Sequence, residues 1–182
     1  MPERKILYTV MDKMKLSKTI KRIASEIVEN HQEQYPLVIV GLKTRGEYIA
    51  NRICAEILKA ENIRLEKGVL DSTLFRDDFR VNLKVPSFSV NDMPFSIDGK
   101  KVVLVDDVIF TGRSVNAAIN ALMDRGRPKI IQFAVLIDRG FRELPVKADY
   151  IGEVVKTLPT QEIRVKLEEI DKEDAVYLVE KN

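Results

Sequence analysis

The segment 102–114, with the sequence VVLVDDVIFTGRS, constrains the fold more than any other part of the chain. It begins with four apolar residues, three of them β-branched, which predicts a strand buried on both faces of a parallel sheet. In open α/β sheets, ligands bind at the carboxyl ends of the strands. Asp106 and Asp107 stand at that end. One carboxylate can accept hydrogen bonds from sugar hydroxyls, while its neighbour serves a metal-bound water or a second hydroxyl.

The residues after this strand predict a phosphate-binding turn, made of Thr111, Gly112, Arg113 and Ser114. An amphipathic helix follows, because positions 115, 118, 119 and 122 place apolar residues on one face. Free N–H groups at the helix N-terminus and two hydroxyls can donate to a phosphate monoester, and Gly112 permits its close approach. Taken separately, an acidic pair or a Thr-Gly pair is more often a solvated strand end or a simple turn. Together and in this order, the features favour a functional site.

The rest of the chain predicts more units of strand, loop and helix, which are typical of an α/β fold. Ser17 is the predicted cap of a first helix over residues 17–31. Apolar runs at 37–40 and 130–137 predict two more buried strands, and the helix that bears Cys54 follows the first of them. We therefore expect a central, mostly parallel sheet flanked by helices.

Two stretches of the chain have a less regular pattern. An extended segment near residues 64–75 leads into residues 76–100, where prolines and a turn pair predict a long hairpin or a flexible loop, and such loops are often lids. The helix after the phosphate-binding turn should end at Gly126. Residues from about 140 to 182 predict short strands and turns, which should form a small C-terminal hood.

Composition bounds the class of protein. The length of 182 residues fits a single domain, residues 1–182, and 45% hydrophobic with 32% charged residues is typical of a globular chain. A single cysteine and a single histidine exclude a classical zinc cluster and an internal disulfide. We expect a cytoplasmic protein, because no apolar run reaches the length of a membrane span or follows the N-terminus as in a signal peptide. The net charge of +2 gives little sign of a nucleic-acid partner.

The loop 41–46 follows the strand at 37–40 and offers a second anion site. Its glycines, the cations Lys43 and Arg45, and the following helix N-terminus can clasp a diphosphate. The spacing differs from that of a Walker loop, and a cluster of this kind is also common in polar turns.

These motifs resemble those of the type I phosphoribosyltransferases. The segment 102–114 is similar to the signature with which that family binds 5-phosphoribosyl pyrophosphate (PRPP). The sequences GLKTRG at 41–46, TLFRDD at 73–78 and DRGFRELP at 138–145 resemble the bacterial pyrimidine operon attenuator that is also a uracil phosphoribosyltransferase. The resemblance runs over nearly the whole chain. It implies the type I phosphoribosyltransferase fold, Mg²⁺ as cofactor, and a homodimer or higher homo-oligomer.

The resemblance also implies roles for individual residues. Asp106, Asp107 and Arg76 are expected to be catalytic, with Mg²⁺ held by the substrate and by the two aspartates directly or through water. The phosphate-binding turn would hold the 5′-phosphate of PRPP. The residues expected to bind pyrophosphate are Lys43, Thr44, Arg45 and Gly46. The flexible loop is expected to contain Arg76, Asp77 and Asp78. The residues expected to bind the base are Asp138, Arg139, Tyr150 and Ile151.

The resemblance also implies a second activity, binding of an mRNA leader, although the chain departs from the attenuators at several positions. The attenuators commonly have His where this chain has Phe141, and Thr and His on the first helix where Lys21 and Ser25 fall. Cations that could still contact RNA phosphates are Lys18, Lys21, Arg22, Arg142 and Lys147.

The expected reaction joins uracil to PRPP and yields UMP and pyrophosphate, in a protein that could also be a UMP-responsive regulator of pyrimidine genes. Two alternatives remain open at the level of the sequence. One is an RNA-binding attenuation regulator with little catalysis. The other is a purine phosphoribosyltransferase.

Overall fold

The computed structural model describes residues 5–31, 34–71 and 93–181. Its strands are β1 (Ile6–Met11), β2 (Leu37–Leu42), β3 (Glu66–Leu70), β4 (Lys101–Ile109), β5 (Ile130–Asp138), β6 (Tyr150–Val154), β7 (Gln161–Lys166) and β8 (Ala175–Glu180). Its helices are α1 (Lys13–Glu29), α2 (Arg45–Glu61), α3 (Arg113–Arg125) and α4 (Glu168–Asp171).

The main sheet of the described residues has five strands in the order β3, β2, β4, β5, β6, and all of its pairings are parallel. The register places Leu104 of β4 between Val40 of β2 and Phe133 of β5. The carboxyl ends of β2 and β4 therefore lie side by side, which brings together the two loops that the sequence predicts to bind anions. The prediction of a mostly parallel sheet flanked by helices is confirmed.

β4 is buried on both faces, as its apolar run predicts. Val102 and Leu104 belong to the hydrophobic core that α3 covers, whereas Val103 and Val105 belong to the core that α1 and α2 cover. Alternate residues of a strand point to opposite faces, so one continuous apolar run supplies both cores. This packing fixes β4 from both sides and with it the positions of the residues that follow.

A second, antiparallel sheet of the order β1, β8, β7 forms the hood. This differs from the expectation that residues from about 140 onward form the hood. β6, which contains Tyr150, pairs with β5 in the main sheet, and β1 joins the hood from the other end of the described chain. Hydrophobic patterning identifies short strands but does not reveal which strand they pair with.

The first helix begins earlier than expected. Asp12 is its N-cap and accepts a hydrogen bond at 2.7 Å from the Lys15 N–H through Oδ1. Ser17 lies inside the helix and is exposed, so its assignment as the cap was wrong. An Asp and a Ser are both good caps, and only the geometry distinguishes them.

Other boundaries agree with the sequence more closely. α3 ends at Arg125 with Gly126 as its C-cap, as predicted. β3 occupies 66–70 within the extended segment near 64–75, and β2 and β5 run one or two residues beyond their predicted ends. The expected catalytic and loop residues at 76–78 lie outside the described residues. In the part of the chain that is described, no helix is long and apolar enough to cross a membrane.

Candidate active site

A cavity of about 400 Å³ lies at the carboxyl ends of β2 and β4. Its walls come from the loop after β2, the two carboxylates of β4, the phosphate-binding turn and Arg139. The loop after β2, the two carboxylates and the turn were each predicted from the sequence to belong to a site, and the structure places all three around this one cavity. Volumes of this size are typical of small-molecule sites.

The two carboxylates are fixed by backbone donors. The Asp107 N–H donates to Asp106 Oδ1 at 2.9 Å, and the Val108 N–H donates to Asp107 Oδ1 at 2.8 Å. Burial raises the pKa of the Asp107 carboxyl, while the positive charge of Arg45 acts in the opposite direction. Two acceptors held at the edge of a cavity can bind the hydroxyl pair of a sugar.

The phosphate-binding turn leads directly into α3. Gly112 is the N-cap of α3 and has a φ of 90°, a left-handed conformation that a residue with a side chain rarely adopts. A Cβ at this position would also overlap the side chain of Val146. Thr111, Gly112 and Ser114 line the cavity, so the N-terminus of the helix meets it. Arg113 points elsewhere, because its Nε forms an ion pair with Glu143 Oε2 at 2.7 Å on the exposed surface.

The loop Lys43–Gly46, which we call the diphosphate loop, contains a cis peptide bond between Lys43 and Thr44. Lys43 is exposed and its Nζ lies 3.4 Å from Asp71 Oδ2. Gly46 lies against β4, and a Cβ there would overlap the carbonyl oxygen of Val105. Only glycine therefore allows the first turn of α2 to approach the strand that carries the two aspartates.

Arg45 links the cavity to the hood. Its Nη2 donates to both carboxylate oxygens of Asp171, at 3.1 and 3.2 Å. A second cavity of about 410 Å³ lies on the hood side and shares Arg45 and Asp107 with the first. Asp171 was not predicted as a site residue from the sequence. The acidic run from 168 to 174 was the available signal, because such a run needs cations nearby when the chain is compact.

Among the expected base-binding residues, Arg139 lines the cavity. It is 5% exposed, its guanidinium carbon lies 4.0 Å from the centre of the Phe110 ring, and its Nη2 donates to the Gln161 carbonyl at 2.8 Å. Burial lowers the pKa of Arg139, and the charge of Glu162 opposes the shift. The sequence did not predict that Phe110 or Gln161 would contact Arg139, because neither residue belongs to a motif for such a contact.

The other three expected base-binding residues do not line this cavity. Tyr150 is 3% exposed within the core beneath α1, and its hydroxyl is hydrogen bonded to Gln132 Oε1 at 2.8 Å. Ile151 packs against the core beneath α3. Asp138 uses both carboxylate oxygens within its own loop, for Gly140 and Arg142.

The five cations expected to contact RNA are placed differently from one another. Lys18, Lys21 and Lys147 are exposed. Arg22 donates through Nη2 to the carbonyls of Ile151 and Gly152, at 3.1 and 2.6 Å, and so ties α1 to β6. Arg142 donates to the backbone carbonyls of Phe110, Gly140 and Val146.

No cluster of three or more His, Cys, Asp or Glu side chains that could hold a metal occurs among residues 5–31, 34–71 and 93–181. Magnesium is usually held by one or two carboxylates together with substrate phosphates and water. The adjacent pair Asp106 and Asp107 fits that mode of binding, and it does not fit a metal held by protein groups alone.

A parallel sheet with paired acids, a phosphate-binding turn and a diphosphate loop at its carboxyl edge defines the phosphoribosyltransferase class. Residues 9–169 match the family described as the phosphoribosyl transferase domain, and the chain belongs to this family. The fold is that of solved hypoxanthine phosphoribosyltransferases. The Staphylococcus aureus structure aligns with a TM-score of 0.70 at 16% identity over 97% of this chain and 93% of that chain. The Trypanosoma cruzi structure aligns with a TM-score of 0.68 at 19% identity over 98% and 97%.

More similar in sequence are proteins named bifunctional protein PyrR. The one from Pelotomaculum thermopropionicum is 47% identical over 94% of this chain and 94% of its own length. The one from Enterococcus faecalis is 44% identical over 95% of this chain and 97% of its own length. The resemblance to the bifunctional branch of the family is therefore confirmed over almost the full chain.

Proposed function

We propose that this chain is a uracil phosphoribosyltransferase, which converts uracil and PRPP to UMP and pyrophosphate. The observation that carries the proposal is the cavity that Asp106 and Asp107 of β4 line together, with the phosphate-binding turn and the diphosphate loop also in its walls. PRPP has a phosphate, a diol and a diphosphate in that order. The cavity offers a complementary group for each.

The reaction breaks the bond between the anomeric carbon and the diphosphate through a sugar with cationic character. The N-terminus of α3 binds the 5′-phosphate with backbone N–H groups. The carboxylates of Asp106 and Asp107 hold the ribose hydroxyls and stabilise positive charge on the ring. Lys43 and Arg45 bind the departing diphosphate, and no covalent nucleophile is required. Arg76, which lies outside the described residues, is proposed to add a further cation there.

Magnesium is proposed as the cofactor, bound by the diphosphate and ribose of PRPP and by Asp106 and Asp107 directly or through water. When bound, it would supply positive charge that neutralises the leaving diphosphate. The side chains of the protein then have a positional and electrostatic role. They orient the sugar and exclude water from the anomeric carbon.

Uracil is favoured as the acceptor by the similarity to the PyrR proteins over nearly the whole chain and by the motifs at 41–46, 73–78 and 138–145. The buried Arg139, stacked on Phe110, is the proposed polar wall of the base site. Tyr150 and Ile151 are proposed to act only indirectly, through the shape of β6.

The test is turnover of labelled uracil, hypoxanthine and guanine with PRPP and Mg²⁺. We expect UMP from uracil and little product from either purine. Product from a purine and none from uracil would show that the acceptor is a purine. Absence of product from all three bases would overturn the catalytic proposal. An Asp124→Asn variant, changed on the exposed surface of α3, is the matched control for substitutions of the two site aspartates.

A second function, UMP-responsive binding of an mRNA leader, is supported by the printed name of the relatives, which calls them bifunctional. The exposed Lys18 and Lys21 on α1 are the proposed phosphate contacts. Each such contact adds about one unit to the dependence of log affinity on log salt concentration, so Lys21→Gln should lower that slope by about one. A mobility-shift assay with a pyrimidine-gene leader, with and without UMP, tests this function. Weak binding that UMP does not change would contradict it.

A further inference from the structure

Arg142 joins three parts of the site through one guanidinium group. Its Nη2 donates to Asp138 Oδ2 at 2.6 Å, at the end of β5. Its Nη1 donates to the carbonyls of Phe110 at 2.6 Å and Gly140 at 3.1 Å. Its Nε donates to the Val146 carbonyl at 3.2 Å. The side chain is 22% exposed, so these bonds form largely away from water.

The loop that carries Arg142 supports the phosphate-binding turn at other points as well. The N–H groups of Glu143 and Leu144 both donate to the Thr111 carbonyl, at 2.9 and 3.1 Å. The Val146 side chain occupies the space beside Gly112 where a Cβ would be. The loop thus holds the carbonyls of Phe110 and Thr111, while the turn meets the cavity on its other side.

Arg142 is not among the described residues that line the cavity, so its influence on a ligand is indirect, through Phe110 and the turn that follows it. Backbone N–H groups bind an anion well only when they already converge on its position. The turn has a left-handed conformation at Gly112, which glycine allows, and the carbonyls of Phe110 and Thr111 just before it need hydrogen-bond partners. The charge-assisted bond to Asp138 fixes the orientation of the guanidinium.

We propose that Arg142 is a positioning residue for the phosphate-binding turn, oriented for this role by Asp138. The inference rests on the proposed function, because it assumes that the turn binds the 5′-phosphate of PRPP. It gives Asp138 and Arg142 a common role in place of the base contact and the RNA contact expected for them from the sequence. The role requires a planar group with several donors, which lysine does not have.

The experiment compares two small ligands that occupy different ends of the site. Ribose 5-phosphate tests the phosphate-binding turn, and pyrophosphate with Mg²⁺ tests the diphosphate loop. In Arg142→Gln, calorimetry should show about a tenfold weaker affinity for ribose 5-phosphate, the effect expected when charge-assisted bonds are lost. Affinity for pyrophosphate should stay within about twofold of the starting protein. Arg127→Gln removes the same charge beyond the opposite end of α3 and should change neither affinity.

Arg142→Lys keeps the charge and is the second variant if Arg142→Gln does not fold. We expect the same selective loss for ribose 5-phosphate, because an ammonium group cannot reach all of these acceptors at once. Unchanged ribose 5-phosphate affinity in either folded variant would overturn the proposal, and so would an equal loss for both ligands. A selective loss in a protein that turns over no base would support this inference while the proposed reaction fails.

Discussion

Arg45 and Asp171 connect the diphosphate loop to the hood, with Nη2 of the arginine donating to both oxygens of the carboxylate at 3.1 and 3.2 Å. Asp171 Oδ2 also accepts the Leu167 N–H at 3.0 Å, which fixes the carboxylate within the hood. The positive charge of Arg45 also acts to lower the pKa of the Asp107 carboxyl, against the effect of burial. The hood is therefore connected to the Asp107 carboxylate through one cation of the loop.

This connection predicts that substitutions of Arg45 and Asp171 are not additive. Asp171→Asn and Arg45→Lys should each lower the free energy of unfolding by about 1 kcal/mol, since the pair is partly exposed. The double variant should lose less than the sum of the two, by about 0.5 kcal/mol or more. Urea unfolding of the four proteins measures this. Strict additivity would show that the bond does not contribute to stability.

A second link between α2 and the hood should make stability depend on pH. Arg52 donates to both oxygens of Glu169, at 3.0 and 2.6 Å, and to both oxygens of Asp174, at 3.1 and 2.7 Å. Hydrogen bonds from Arg52 lower the pKa of both carboxyl groups below their ordinary values. For Asp174, burial is the largest single influence and raises the pKa, but the net shift is downward. Groups with a lowered pKa stabilise the fold above their unfolded pKa, and the contribution is lost as the pH falls through the folded value.

Replacing Arg52 with Gln should therefore cost about 2 kcal/mol at pH 7, which corresponds to a fall of roughly 4–8 °C in the midpoint of thermal unfolding. The difference between the two proteins should begin to shrink as the pH falls through the unfolded pKa values, near about 4, and should keep shrinking as the pH approaches the lower folded values. Melting curves from pH 3 to pH 7 test this. A difference that is constant across the range would contradict the assignment of the link to ionised carboxylates.

Asp107→Asn removes a charge from the cavity at nearly constant volume. Turnover of uracil should fall by about a hundredfold or more, because the developing positive charge on the sugar loses a carboxylate. The fold should survive, which circular dichroism and thermal unfolding would establish. Asp124→Asn is the control and should leave turnover unchanged. Near-normal turnover in Asp107→Asn would remove this carboxylate from the mechanism.

Gly46→Ala tests the close approach between α2 and β4. The added Cβ overlaps the Val105 carbonyl, so α2 or β4 must shift, and we expect a loss of about 2 kcal/mol together with weaker binding of pyrophosphate. Gly99→Ala is the contrasting variant, because its φ of 68° is unfavourable but open space surrounds it. It should cost only about 1 kcal/mol and leave pyrophosphate binding intact. Equal losses of stability and binding in the two variants would contradict the steric explanation.

The sequence predicts the central part of the site well, because its information is local. The apolar run of β4, the two acids and the Thr-Gly turn are contiguous, so a pattern of adjacent residues determines both their order and their meeting at the end of a buried strand. The diphosphate loop follows from the same rule applied to β2. These elements lie together in the structure as expected.

Contacts between distant segments could not be predicted in this way. Nothing local in Tyr150 distinguishes a hood strand from an edge strand of the main sheet, and its burial under α1 depends on pairing with β5. Arg142 is of a residue type that often contacts nucleic acid, yet it donates to the backbone carbonyls of Phe110 and Val146. Side-chain direction is decided by tertiary packing, which residue type alone does not encode.

The pairing of β1 with β8 has a consequence for how the site is assembled. Ile6 lies opposite Val179, so these two hood strands meet only after nearly the entire described chain has been brought together, and closing such a long loop is entropically costly. The phosphate-binding turn, by contrast, is built between neighbours in sequence. During folding we expect the wall of the first cavity that the turn forms to be built early, and the second cavity, which Asp171 lines, to be completed late.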